Sequence, residues 1–98
     1  EGLARIVRRF CEDGEQMVAR IAGAVEDGVE GDALHALCHE AAGVMAVLGA
    51  VRLRTHLSHA ENLCREGALD EARRLLRDRT APLWQQTRDA VIGLVNRA

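Results

Sequence analysis

Two histidines spaced four residues apart are the side chains whose type and spacing could support chemistry. His35 and His39 fall within a predicted helix over 33–48, and residues four apart lie on the same helical face. A neutral imidazole is available near neutral pH as a nucleophile, and two imidazoles at this spacing are also a recurring pair of metal ligands. A solvated pair with no chemical role is the third interpretation of the same pattern.

The residues around His39 are small for a helix surface. A solvated face would carry Glu, Arg or Gln, whereas the positions one turn from His39 are mostly alanine and glycine. Gly43 costs roughly 0.5–1 kcal/mol relative to alanine at a mid-helix position. Access for another protein's backbone would explain that cost, and so would the close approach of a neighbouring helix. The predicted docking and access residues are His35, Ala36, Ala42, Gly43 and Ala46.

Helical periodicity extends over most of the chain, with glycines between the periodic segments. Alanine and leucine are abundant, β-branched residues are comparatively few, and Pro82 is the single proline, a composition that favours helix over sheet. We predict an all-α fold, an antiparallel four-helix bundle with a short additional N-terminal helix across one end. The short helix is predicted over 3–12, and the longer ones over 15–27, 33–48, 51–66 and 69–96.

Individual residues predict features of two helices, and periodicity predicts the buried face of helix 33–48. Asp32 is expected to be the N-cap of helix 33–48. Pro82 is expected to kink or interrupt the last helix near Thr80. The face opposite His39 is expected to form core, with Cys38 on its flank. That face comprises Leu34, Leu37, Ala41, Val44, Met45 and Leu48.

Composition excludes several classes of protein. Ninety-eight residues allow one domain, and a net charge of −2 with 2% aromatic residues argues against a nucleic-acid binder. No apolar run reaches the length of a membrane span, and no signal peptide is visible. Cys11, Cys38 and Cys64 fit neither a disulfide framework nor a zinc knuckle, so we expect reduced core thiols. Because the chain begins at Glu1, we expect a domain cut from a longer protein.

The segment 37–50 resembles the active-site helix of histidine-containing phosphotransfer (HPt) domains of bacterial phosphorelays. That family's pattern places a small residue before the phosphorylated histidine, then a lysine, a glycine, a leucine and a closing Gly-Ala. The matching positions are Cys38, His39, Gly43, Leu48, Gly49 and Ala50. The lysine that usually stands three residues after the histidine is Ala42 here, so a cation beside the phosphoryl group is missing.

The resemblance covers nearly the whole chain, which we therefore treat as one HPt-like domain over 1–98. Segments 6–10 and 17–25 look like the family's first two helices, and 65–70 resembles its usual turn. Between these segments, the chain resembles the family's Leu…Leu-Glu helix at Leu53, Leu57 and Glu61.

The resemblance implies a phosphoryl carrier rather than an independent enzyme. His39 would accept a phosphoryl group through its outer ring nitrogen from the aspartate of one receiver domain and return it to the aspartate of another. No cofactor of its own is expected, and no phosphate loop is present; Mg²⁺ is expected on the partner receiver.

The resemblance also implies a setting. The partners would be receiver domains of a hybrid sensor histidine kinase, of a response regulator, or of both. The chain itself would be the C-terminal domain of such a kinase, with a free-standing protein as second choice. We expect it to be cytoplasmic and monomeric as an isolated domain, without nucleic-acid or direct membrane contact, even where the parent kinase sits in the inner membrane.

Two other functions stay open on the same residues. An HPt-like interaction module without phosphotransfer is motivated by the missing lysine and weakened by the retained His39 and Gly43. A His-based metal-binding bundle is motivated by the spacing of His35 and His39. Cys38 lies about 100° round the helix from His39, and no Asp or Glu is obviously positioned as a third ligand, although Asp32 extends the face. No metal ligand is therefore predicted. His56 and His59 are expected to be solvated or interfacial.

Overall fold

The computed structural model describes residues 2–47 and 50–97, apart from the side chain of Val47. Four helices occupy almost all of that length, and the described residues contain no strand. Each helix packs against the next one, and the last helix returns to the first, which confirms the predicted four-helix bundle. The helices are α1 (Gly2–Glu26), α2 (Gly31–Val47), α3 (Val51–Arg65) and α4 (Leu69–Arg97).

The first helix is continuous, so the prediction of a separate short N-terminal helix over 3–12 is wrong. Gly14 lies inside α1 and is buried, because the indole ring of Trp84 from α4 rests against its backbone. A Cβ atom at Gly14 would overlap that ring. Phe10, one turn earlier, packs on the same indole with ring centroids 5.2 Å apart. The glycine is therefore a contact point between two helices and not a break in one.

Two further expectations about helix ends are corrected. Leu34 N–H donates to the Glu30 carbonyl at 3.0 Å, so α2 begins at Gly31 and Asp32 lies in its first turn rather than at the N-cap. A carboxylate there still faces the positive end of the helix dipole. Helix α4 continues through Pro82, so the alternative of an interruption near Thr80 is wrong. Pro82 is exposed, and the carbonyl one turn earlier can be hydrated in place of its lost bond.

The buried face of α2 is rotated relative to the predicted one. Leu34, Ala41 and Met45 are buried as expected, and Leu37 is half-buried. Val44, however, is 41% exposed, while Cys38 is fully buried. Small side chains on this side let α2 lie closely against α3. The prediction for Leu48 lies outside the described residues, as do those for Glu1, Gly49 and Ala98.

The aliphatic core otherwise follows from the sequence. It is filled by side chains from all four helices, and the aromatic pair Phe10 and Trp84 closes the α1–α4 side. The three cysteines are unpaired: Cys38 is buried, whereas Cys11 and Cys64 are half-buried. The result is a rod of 45 × 20 × 20 Å that holds α2 and α3 side by side.

Candidate functional site

His39 projects from the surface of α2 and is anchored at one ring nitrogen. Its side chain is 75% exposed, and its Nδ1 atom lies 2.9 Å from Oε2 of Glu61 on α3. An ionised carboxylate only accepts hydrogen bonds, so Nδ1 carries the hydrogen. The lone pair is then on Nε2, the ring nitrogen that makes no contact with Glu61.

Glu61 is a candidate site residue that sequence reasoning did not assign to the site. Its side chain is only 11% exposed, and its Oε2 atom also faces Nε2 of His35 at 3.4 Å and Nη2 of Arg65 at 3.5 Å. The signal that could have found it is an acidic residue at i+4 and i+8 from the buried Leu57 and Leu53, where a core residue would be expected.

His35 stands beside His39 as the spacing predicts. Its side chain is 34% exposed, and the two imidazole planes are nearly parallel, at 6°, with centroids 6.4 Å apart. Among the described residues, no group of three or more His, Cys, Asp or Glu side chains is arranged to hold a metal ion. The arrangement joins the two histidines through a shared carboxylate.

The small residues near His39 divide into two groups. Ala36, Gly43 and Ala46 are exposed, and a Cβ atom at Gly43 would meet nothing within 4 Å. The close approach of a neighbouring helix therefore does not explain Gly43. Ala42, by contrast, is only 7% exposed and belongs to the core, so its predicted place on the open face is wrong. It lies on the side of α2 that packs inward.

The charge of Glu40, next to His39 in sequence, is directed away from the imidazole site. Its Oε1 atom accepts a hydrogen bond from Nη2 of Arg20 on α1 at 3.2 Å. Arg65 on α3 flanks the opposite side, with 64% of its side chain exposed. His39 thus stands between an ion pair on the α1 side and the Glu61–Arg65 pair on the α3 side.

The thiol next to His39 is not a competing nucleophile. Burial, and then the proximity of Cys64 and Glu61, raises the pKa of Cys38 to about 12. The reactive form of cysteine is the thiolate, so Cys38 stays protonated and inert at neutral pH. Its contribution is a small buried side chain beneath the site.

His56 lies away from this site and is buried, so its predicted solvated or interfacial position is wrong. Its Nε2 atom lies 2.7 Å from Oγ1 of Thr80 on α4. Burial, followed by the nearby charges of Arg79 and His59, lowers the pKa of His56 to about 4. His59 is exposed as expected. His56 is therefore a neutral core residue that joins α3 to α4.

Comparison with known proteins agrees with the geometry. The family model described as the Hpt domain matches residues 5–96, nearly the whole chain. No curated protein and no solved structure matches the chain. Within the described residues, no helix has both the length and the apolar character to cross a membrane.

Proposed function

This chain belongs to the Hpt domain family, and we propose that it is a phosphorelay intermediate with His39 as its phosphorylated residue. The family indicates phosphotransfer in two-component signalling. The observation that carries the assignment of His39 is its 2.9 Å contact with Glu61, combined with a ring that is 75% exposed. An imidazole anchored at Nδ1 and otherwise open to solvent presents Nε2 to a partner.

The anchored tautomer gives a transfer step in which no proton has to move. The Nε2 lone pair of His39 attacks the phosphorus of a receiver's aspartyl phosphate, the bond from phosphorus to the aspartyl oxygen breaks, and the aspartate leaves as a carboxylate. Nδ1 keeps its hydrogen, so the phosphorylated ring carries a positive charge that the Glu61 carboxylate stabilises. When a second receiver's carboxylate attacks phosphorus, the N–P bond breaks and neutral His39 is restored in the same tautomer.

The receiver supplies the remaining chemistry. Phosphoryl transfer depends on positioning and on neutralising the phosphoryl oxygens, and the Mg²⁺ bound by a receiver would do the latter. On this chain, Arg65 places a guanidinium at the site, because it contacts the same carboxylate oxygen as His39. It is our candidate for the cation that the family's lysine provides at the position of Ala42.

The open face of α2 would dock the receiver. Ala36, Gly43 and Ala46 are exposed around His39, and they are small enough to let a receiver's backbone approach. The partners would be receiver domains of a hybrid kinase, a response regulator, or both. Three unpaired cysteines fit work in the reducing cytoplasm. As an isolated domain we expect a monomeric carrier without catalytic activity of its own.

Phosphorylated receiver domains test the proposal directly. Receivers from the organism that encodes the chain are phosphorylated with a small-molecule phosphodonor and Mg²⁺, and then mixed with this protein. We expect acid-labile, base-stable label on the wild type and on His59→Gln, which changes an exposed histidine outside the site. His39→Gln should take up none. Equal labelling of His39→Gln would contradict the assignment.

The interaction-module alternative is distinguished in the same experiment. A chain that binds phosphorylated receivers but acquires no label, with or without His39, would be a docking module that has lost transfer. The observation in its favour is the absence of the family's lysine at Ala42. The contact between His39 and Glu61 favours transfer.

A further inference from the structure

A second imidazole faces the carboxylate oxygen that anchors His39. Nε2 of His35 lies 3.4 Å from Oε2 of Glu61, and Nδ1 of His39 lies 2.9 Å from the same atom. The two rings present different nitrogens to one oxygen while their planes stay within 6° of parallel. This arrangement couples the position of Glu61 to both histidines.

The carboxylate favours one tautomer of the His35 ring. Since an ionised carboxylate has only acceptor sites, Nε2 of His35 must carry a hydrogen for the contact to be attractive. At 3.4 Å the contact is longer than a typical N–H···O hydrogen bond of about 2.9 Å. It therefore guides the carboxylate electrostatically, while the shorter contact goes to His39.

His35 is better placed than Arg65 to keep Glu61 in position. Arg65 approaches Oε2 to 3.5 Å with a side chain that is 64% exposed, and solvent and side-chain entropy weaken such a pair. His35 is half-buried and lies on α2, on the same face as His39 and one turn before it. Its ring has fewer torsions to order than an arginine side chain.

A carboxylate that is 11% exposed needs a partner throughout the transfer cycle. His39 is the partner that a receiver would contact, because its ring is open to solvent. A second donor that does not take part in transfer would keep the carboxylate in place while a receiver contacts His39. The half-buried His35 fits that requirement.

We propose that His35 is a positioning residue, which holds the Glu61 carboxylate so that Oε2 faces Nδ1 of His39 and fixes Nε2 as the nucleophile. Its effect on transfer rests on the proposed function. Its effect on the tautomer of His39 does not, because that is a property of the unphosphorylated domain.

Long-range proton–nitrogen NMR of the histidine rings tests the positioning role. In the wild type we expect His39 to be mainly the Nδ1–H tautomer. In His35→Ala the fraction of the Nε2–H tautomer of His39 should rise by about threefold or more, because the Glu61 carboxylate that fixes this tautomer would be displaced. His35→Gln places an amide N–H donor in a similar position and should restore the wild-type ratio. His59→Ala is the matched control and should leave His39 unchanged.

The transfer rate gives the second measurement on the same proteins. We expect it to fall about 3- to 10-fold in His35→Ala and to return in His35→Gln, with helical content and melting temperature monitored in parallel. Should His35→Ala fail to fold, His35→Leu keeps the volume without the donor and gives the same comparison.

Two results would overturn the proposal. One is a wild-type tautomer ratio of His39 in the folded variant that lacks a donor at position 35. The other is a shift in His35→Gln as large as that in His35→Ala, since a donor would then not be what holds the carboxylate. If the wild type takes up no phosphoryl group at all, the proposed function fails, whereas the tautomer comparison still decides the role of His35.

Discussion

Nδ1 of His39 lies 2.9 Å from a carboxylate oxygen of Glu61, although 22 residues separate them and they belong to different helices. The contact converts an exposed histidine into one with a defined tautomer, because the carboxylate accepts only at a protonated nitrogen. Under the proposed function, a receiver would meet an imidazole whose outer nitrogen already carries the lone pair.

Removing the carboxylate should slow transfer without removing the nucleophile. We expect Glu61→Ala to lower the rate of phosphoryl transfer to His39 by about 10- to 100-fold, the magnitude found when a metal-ligating histidine loses the partner that orients it. Glu61→Gln can still accept a hydrogen bond from Nδ1–H but lacks the charge, so its transfer rate should lie between those of the wild type and Glu61→Ala. Rapid-quench kinetics measure this order, and a wild-type rate in Glu61→Ala would contradict the role of the contact.

A larger side chain on the open face of α2 should impair the docking of a receiver without unfolding the domain. Gly43→Glu should reduce transfer strongly while the fold persists, because a Cβ atom at this exposed position would meet nothing within 4 Å and the added side chain would lie where a partner docks. Gly43→Gln adds similar bulk without the negative charge, so it distinguishes a steric effect from an electrostatic one. Gly43→Ala should raise the free energy of unfolding by roughly 0.5–1 kcal/mol. Transfer kinetics and urea unfolding check both effects, and an unchanged rate in Gly43→Glu would remove our explanation of the glycine.

Position 14 should respond to alanine in the opposite direction. Gly14→Ala places a methyl group where the ring of Trp84 lies, so we expect it to lower the free energy of unfolding by roughly 1–3 kcal/mol, as overpacking does. Gly43→Ala is the matched control, since both changes gain helix propensity. Urea unfolding measures the pair, and equal stabilisation by both would show that Trp84 can move aside freely.

His56 should make the bundle sensitive to acid. Its pKa is about 4 in the folded protein and about 6.5 in an unfolded chain, so the unfolded state binds the proton more readily. The contribution to stability is complete above the unfolded value. It is lost as pH falls from about 6.5 to about 4, by up to roughly 3 kcal/mol.

His56→Gln tests this dependence, because glutamine can still reach Thr80 without titrating. Urea unfolding between pH 7 and pH 4 should show a flatter profile for the variant than for the wild type. Identical profiles would assign the acid sensitivity to carboxylates instead.

The residue types of the candidate site could be predicted from the sequence, whereas the contacts between them could not. His39 and Gly43 stand out by type and spacing within one helix, and a pattern within one helix is local. Glu61 could not be assigned in the same way, because its contact with His39 depends on how α2 and α3 are set side by side. Helical periodicity fixes a face but not the register between two helices.

The errors about packing have a common physical origin. The buried face of α2 is centred nearer Cys38 and Ala42 than Val44, because burial depends on which side of α2 packs against the neighbouring helices and not on side-chain size alone. Gly14 is likewise a place where another helix's ring must fit, and not a helix end. Both outcomes depend on which partner faces the residue, and the residue's own propensity does not contain that information.

The most direct measurement of the central claim is the position of the phosphoryl group after transfer from a phosphorylated receiver. Phosphorus NMR of the nitrogen-15-labelled protein, with coupling to the ring nitrogens, identifies the bonded atom. We predict phosphorus on Nε2 of His39 in the wild type and none on His39→Gln. Phosphorus on another residue or on Nδ1 of His39 would contradict the account, and so would its absence from every phosphorylated receiver domain of the encoding organism.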